Sequence, residues 1–299
     1  MSEPRYRDLP MLGGLDVRSA RDVLPPELGT LARIDADLVR SAATDVAAGL
    51  PIPLNLAVDA FRPPLFGRSP LVHRIVEPAR NEAEDVFDGF NPQASSQLDG
   101  LAHVRAREFG FFDGSTDLDT ARAAIGMQHW ARRGIVARGV LLDATGLLDD
   151  PFAGRPLTAP ELRDLAEAQG VEVRRGDVLL VRTAWAERYL AASEDERATI
   201  SSWPGLSAGH DLVEFLWDSG IALIGCDNPA VENAPGDPAA GSLHRRLLPA
   251  LGMPMLELLD LERLAEECRA RGRWDFLFVS VPMYAEGAVS SPANAVAIL

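Results

Sequence analysis

The sequence predicts a mixed α/β fold, and three observations carry the prediction. Near-continuous apolar runs occupy residues 134–143 (GIVARGVLLD), 176–183 (GDVLLVRT), 220–226 (GIALIGC) and 274–281 (WDFLFVSV), the pattern of strands covered on both faces. Segments of helical periodicity fall between them, at residues 159–168, 212–217 and 256–271. Strands and helices alternating in this way pack as helices around a central mixed sheet. No internal repeat or low-complexity linker divides the chain. Its 299 residues are therefore expected to form a single domain, with an N-terminal arm and helix over about residues 1–50.

The elements follow in order. Residues 29–49 read as a helix, with Asp35 as N-cap, apolar residues at helical spacing and Gly49 closing it. Residues 52–59 (IPLNLAVD) alternate as a strand does. Residues 61–90, rich in Pro, Arg and acid, read as a long surface excursion, and long loops in compact domains tend to be functional. Thr158 or Ala159 opens the helix over 159–168. Residues 256–271 read as one strongly periodic helix, which sets Glu257 near its start.

Composition excludes several functions. Hydrophobic residues make up 47% and charged residues 24%, enough apolar material for a sizeable core. No apolar run is long enough to cross a bilayer, and the start, MSEPRYRDLP, lacks the core of a signal peptide, so a cytoplasmic protein without a membrane partner is expected. A net charge of −15 with no basic stripe argues against nucleic acid. The chain contains no lysine: all 29 basic residues are arginine, which, with the abundant Ala, Gly and Pro, suits a GC-rich bacterial genome. A lysine Schiff base, a lysine general base and a Gly-x-x-x-x-Gly-Lys loop are excluded, and no Gly-x-Gly-x-x-Gly follows a strand. Cys226 and Cys268 sit in apolar patterns and read as small core residues.

Five histidines are present, His73, His103, His129, His210 and His244, and company decides which of them matter. In SSQLDGLAHV, Gln97 and Asp99 fall on one face of an extended strand, because side chains alternate with a period of two. A turn at Gly100 can swing His103 back toward that face. A carboxylate, an amide oxygen and an imidazole then converge as a divalent-metal site with a neighbouring base. The alternative is that Asp99 caps a turn and His103 is an ordinary loop residue. Glu257 sits in an apolar run and either favours a helix N-terminus or is buried with a cationic partner. His244, in GSLHRRLLP, pairs with a metal or with a surface acid. CDNPAVEN (226–233) follows a buried strand, where loops of α/β sheets hold ligands, and Asp227, Asn228 and Glu232 are candidates for substrate contact. An Asp-Asn-Pro turn is the competing reading, as a turn is for SSPANA (290–295). Phe87, Phe90, Phe109, Phe111 and Phe112 line an aromatic pocket or simply fill the core.

These pieces, taken in order, resemble the metal-dependent cyclase/hydrolase family that includes kynurenine formamidases and isatin hydrolases. The family motif is His-x-Gly-Thr-His-x-Asp-x-Pro-x-His, and this chain reads Gln93-Ala-Ser-Ser-Gln97-Leu-Asp99-Gly-Leu-Ala-His103. The chain is most similar to a longer branch with Gln-x-Asp-Gly-x-x-His, and GIVARGVLLD, GDVLLVRT, CDNPAVEN, LHRRLLPALG and SSPANA extend the likeness over most of its length. The resemblance implies a barrel-like central sheet of the swivelling β/β/α type with flanking helices, and a homodimer or homotetramer.

It also implies a divalent ion held by Asp99, His244 and Glu257, with Gln97 as a fourth ligand and His103 as general base. Gln93 joins the candidates for substrate contact. Glutamines stand where the family has two metal-site histidines, and an amide oxygen is a poorer zinc ligand than imidazole. Manganese or zinc is expected, with the balance moved toward the oxygen-tolerant ion. The implied function is a hydrolase or cyclase acting on an amide or lactone of a small, aromatic molecule. Two readings compete: a metal-free cyclase or lyase using Asp99 and His103, and a non-catalytic small-molecule binder on the same scaffold.

Overall fold

The computed structural model describes residues 3–299. Its strands in chain order are β1 (Pro51–Pro53), β2 (Val72–Ala79), β3 (Glu82–Asp88), β4 (Gln97–Asp99), β5 (Ile135–Asp143), β6 (Pro156–Leu157), β7 (Val178–Arg182), β8 (Gly205–Leu206), β9 (Leu223–Cys226), β10 (Met255–Glu257), β11 (Asp275–Ser280), β12 (Ser290–Pro292) and β13 (Ala295–Ile298). Nine of them form a curled half-barrel in the order β1-β13-β11-β5-β7-β9-β10-β4-β12, flanked by helices, which is the mixed fold the sequence predicts.

The centre of this sheet is parallel, β5 to β7 to β9 to β10, and antiparallel strands extend it on both sides. Parallel neighbours need crossovers, and helices Ala159–Ala168 and His210–Asp218 lie within two of them. The first opens with a capping box between Thr158 and Glu161, and the second turns Leu212, Val213, Leu216 and Trp217 into the core. Covered on both faces, β7 and β9 are buried at every position. Both cysteines are free and buried, as expected of core residues. The arm over residues 3–35 packs Tyr6, Leu9, Leu24 and Leu31 into the same core. None of the helices among the described residues is long and apolar enough to cross a membrane.

Four element predictions need correction. Residues 29–49 divide into a 3-10 turn, Gly29–Arg33, and a shorter helix, Ala36–Thr44, whose cap is Asp35 as predicted. Of the strand over 52–59, only β1 forms, and Asn55 adds an isolated bridge to Leu259. The excursion over 61–90 is on the surface, but it carries a hairpin of β2 and β3, nearly every residue of which is exposed. Residues 256–271 are not one helix. Met255–Glu257 is strand β10, Leu258 follows with a φ of 53°, and the helix runs only over Glu262–Arg271. Glu257 is therefore a strand residue.

Candidate metal centre

Three short segments build the centre. The pleat of β4 sends Gln97 and Asp99 to one face and Leu98 into the core. Antiparallel pairing with β10 sets Gln97 directly opposite Glu257, and the Gln97 amide nitrogen donates to Glu257 Oε2. SSPANA supplies β12, which pairs with the other edge of β4 and holds it between two strands. His244 comes from the helical turn Leu243–Arg246, just ahead of a π-helical turn, Leu247–Leu251, an irregularity frequent at functional sites. One ligand atom each from Asp99, His244 and Glu257 lies within 4.8 Å of the others.

His244 is held at both ring nitrogens, with Nδ1 2.7 Å from Glu232 Oε1 and Nε2 2.9 Å from Glu257 Oε1. Burial alone would hold its pKa down, but hydrogen bonds to Glu232 and Glu257 and their charges outweigh burial and raise it well above the usual range. Glu232 also accepts from Leu243 N at 2.6 Å, so it fixes both the ring and the start of the turn. Burial, followed by the like charge of Glu257, raises Asp99 from 3.8 to about 6.

His103 arrives as the spacing predicts. Its backbone NH donates to Gly100 O at 3.0 Å, and Nε2 lies 3.6 Å from Asp99 Oδ2. Gly100 allows the close approach, since a Cβ there would sit 2.9 Å from the Val289 carbonyl oxygen. The Gln93 amide nitrogen donates to Asp99 Oδ1 at 2.8 Å and lies 3.2 Å from His103 Nε2. With its side chain 27% exposed, His103 stands at the open side of an otherwise buried group.

The donors fit a divalent cation. Asp99 Oδ2 and Gln97 Oε1 are buried acceptors without a hydrogen-bond partner, and burying such oxygens unpaired costs free energy that a cation would return. Imidazole, carboxylates and an amide oxygen make an oxygen-rich set of the kind that holds a divalent cation.

Other candidates have different places. Asp227 is buried and accepts from Thr183 N at 2.8 Å and Ala184 N at 2.6 Å, which anchors the turn after β7. The Asn228 side chain donates to Pro204 O at 2.6 Å, and the Asn228 backbone carbonyl accepts from Leu258 N at 3.0 Å, fixing the chain just beyond Glu257. Both bond the scaffold in these ways, and Asp227 also lines a small cavity with Leu56, Leu190 and Glu262. Glu232 proves to be the partner of His244, which spacing did not reveal. Phe111 and Phe112 are core residues, and Phe87 stacks on His73 in the exposed hairpin. Arg68, unmarked by any motif, reaches toward the centre from the excursion and donates to the Gln93 carbonyl.

A family described as "Putative cyclase" matches residues 52–233 of the chain. This chain belongs to the cyclase family. The match ends before His244 and Glu257, so two of the three clustered residues lie outside it. Among solved structures, this cyclase-family chain is similar to a novel cyclase at 26% identity, covering 91% of this chain and 96% of that one with a TM-score of 0.79. It shares its fold with isatin hydrolase A from Labrenzia aggregata bound to benzyl benzoate, at 17% identity, covering 87% of this chain and 98% of that one, TM-score 0.58. The fold recurs in a "predicted metal-dependent hydrolase" from Bacillus stearothermophilus, at 17% identity, covering 84% and 98%, TM-score 0.52. No curated protein matches the chain.

Proposed function

We propose that this chain is a metal-dependent hydrolase or cyclase that cleaves or forms the C–N or C–O acyl bond of a small amide or lactone. The observation that carries the reading is the pair of unpartnered buried oxygens, Asp99 Oδ2 and Gln97 Oε1, beside the His244–Glu257 contact. Membership of the cyclase family and a fold shared with isatin and metal-dependent hydrolases support it.

Asp99, His244 and Glu257 would hold the ion, with Gln97 as an oxygen donor. A divalent cation supplies Lewis acidity there, polarising a carbonyl and bringing the pKa of a water toward neutrality. His103 accepts the proton of the attacking water, and the water oxygen bonds to the acyl carbon. His103 then returns the proton to the leaving nitrogen or oxygen, and the reverse sequence closes a ring. Gln93 holds Asp99 in place through its 2.8 Å hydrogen bond and flanks the His103 ring. Glu232 would fix the tautomer of His244 by accepting a hydrogen bond from Nδ1–H, which leaves the Nε2 lone pair for the ion.

A metal-free acid–base pair is the weaker reading, because it sets only the His244 proton against the buried carboxyl groups of Asp99, Glu232 and Glu257 and leaves Asp99 Oδ2 and Gln97 Oε1 without a partner. Elemental analysis of wild type and Asp99→Ala decides between them. About one manganese or zinc per chain, lost in the variant, supports the reading. Wild type that takes up neither ion after incubation with both would sink it. A panel of cyclic amides and lactones, assayed with the metal-loaded protein, then tests the reaction class.

A further inference from the structure

Arg68 sits at the foot of the exposed hairpin, and the mechanism above gives it no task. One of its terminal nitrogens donates to the carbonyl oxygen of Gln93, the residue whose side chain bonds Asp99 and flanks His103. The guanidinium lies over the Phe66 ring, 5.0 Å from its centroid. Phe66 holds a left-handed backbone, φ 60° and ψ 24°, a conformation unfavourable for a bulky side chain, and meets the edge of Trp203 at 5.9 Å. The local chain is thus set to hold an aromatic plate under the cation.

What Arg68 lacks is an anion. Among the described residues no carboxylate lies within ion-pair distance of it, and its other two nitrogens donate to no protein acceptor. Asp99 and Glu257 act on it only through space. Next to it in the chain a cavity of about 580 Å³ opens; Arg68 itself does not line it, but Ser69, which follows Arg68, and Ala94, which follows Gln93, do, together with Asp59, Arg62, Phe61 and Phe90. That volume suits a small ring system. An arginine fork with free donors matches the planar geometry of a carboxylate.

We propose that Arg68 recognises a carboxylate on the molecule bound at this site: the one that acyl cleavage releases and that ring closure consumes. The proposal rests on the reaction class inferred above. In the hydrolytic direction the water oxygen bonds to the acyl carbon and the C–N or C–O bond breaks, its electron pair leaving with the nitrogen or oxygen. That atom takes up a proton, and the new acid ionises to the carboxylate facing Arg68. The guanidinium remains charged throughout.

The test is calorimetric titration of the metal-loaded chain with phenylacetate and with its neutral counterpart phenylacetamide, in wild type, Arg68→Lys and Arg68→Ala. Wild type should prefer phenylacetate. Arg68→Ala should lose about 10- to 100-fold of that affinity, with phenylacetamide and metal content unchanged, as expected for a charged hydrogen-bonded pair. Arg68→Lys should fall between them, since it keeps the charge and loses the fork. It also guards against a folding defect peculiar to alanine. Equal phenylacetate affinity in all three proteins overturns the assignment, as does a wild type without preference for the acid. If wild type holds metal and turns over an amide or lactone in that case, the reaction class stands without Arg68. If wild type takes up no metal but still binds phenylacetate through Arg68, the reaction class fails and a carboxylate-binding site remains.

Discussion

Replacing Asp99 by asparagine should make the metal-free protein more stable at neutral pH while abolishing metal retention. Burial and the charge of Glu257 raise Asp99 from 3.8 to about 6, a rise of roughly two pH units. At 1.36 kcal/mol per unit, an ionised Asp99 disfavours the metal-free fold by about 3 kcal/mol. The sign follows from the folded value lying above the unfolded one: the penalty is absent below about pH 4, grows between 4 and 6, and is complete above 6. Asparagine keeps the acceptor for the Gln93 amide, now 2.8 Å from Oδ1, and carries no charge. Its NH2 replaces an oxygen that already lacked a partner, at a cost of about 1 kcal/mol. A net gain of about 2 kcal/mol is expected in urea unfolding with chelator at pH 7.5, and none at pH 4.5. Saturating manganese should then reverse the order, because only wild type gains from a ligand bound to the native state. A variant no more stable than wild type at pH 7.5, or an equal gain at both pH values, would refute this account of the centre.

Three further outcomes are expected. His103→Ala should lower kcat about 100- to 10,000-fold while metal content stays at the wild-type level, and loss of the ion would show that His103 is a ligand rather than a base. Glu232→Gln should weaken metal binding about 10- to 100-fold in chelator competition, because His244 Nδ1 loses its 2.7 Å carboxylate partner. Metal affinity itself should rise with pH. In the metal-free protein, His244 keeps its proton up to a pKa raised well above the usual range, since its bonds to Glu232 and Glu257 outweigh burial, and the ion must displace that proton. Below that pKa the apparent affinity should change about tenfold per pH unit through this one proton, and an affinity flat from pH 6 to 8 contradicts the arrangement.

Elements buried on both faces were legible in the sequence because burial imposes an unbroken apolar run. β5, β7, β9 and β11 each fall within one of the apolar runs, and helix Ala159–Ala168 has the predicted bounds. The hairpin β2–β3 was not legible: with both faces exposed, nothing forces its residues to alternate. β10 was hidden by coincidence. Leu261, Leu264, Ala265 and Cys268 are buried at helical spacing, and the apolar run Met255–Leu259 just ahead of them reads as its continuation, although a strand and a left-handed residue occupy it. Of the centre, pleat and turn offered the convergence of Gln97, Asp99 and His103 beside the alternative of a capped turn and an ordinary loop histidine, and spacing did not choose between them. His244 and Glu257 were marked by their contexts with alternatives open, and their role as ligands came from the family resemblance. The bond between Glu232 and His244 had no signal in spacing, because it depends on how the loop from 227 to 242 folds back. Arg68 carries no motif and lies in a segment notable only for its length and its content of Pro, Arg and acid.

The register of β4 on β10 has a consequence for how such a centre can change. The pleat decides where the side chain at position 97 is aimed, opposite Glu257, whatever that side chain is. A substitution there alters the chemistry presented without moving the point at which it is presented. Insertion or deletion of a single residue in β4 does the reverse, sending Leu98 toward the centre and the polar pair into the apolar interior. Ligand chemistry on this scaffold is therefore free to drift from imidazole to amide by point mutation, while strand length is locked. Relatives that differ in metal preference should differ in residue type at these positions and agree in the number of residues between them.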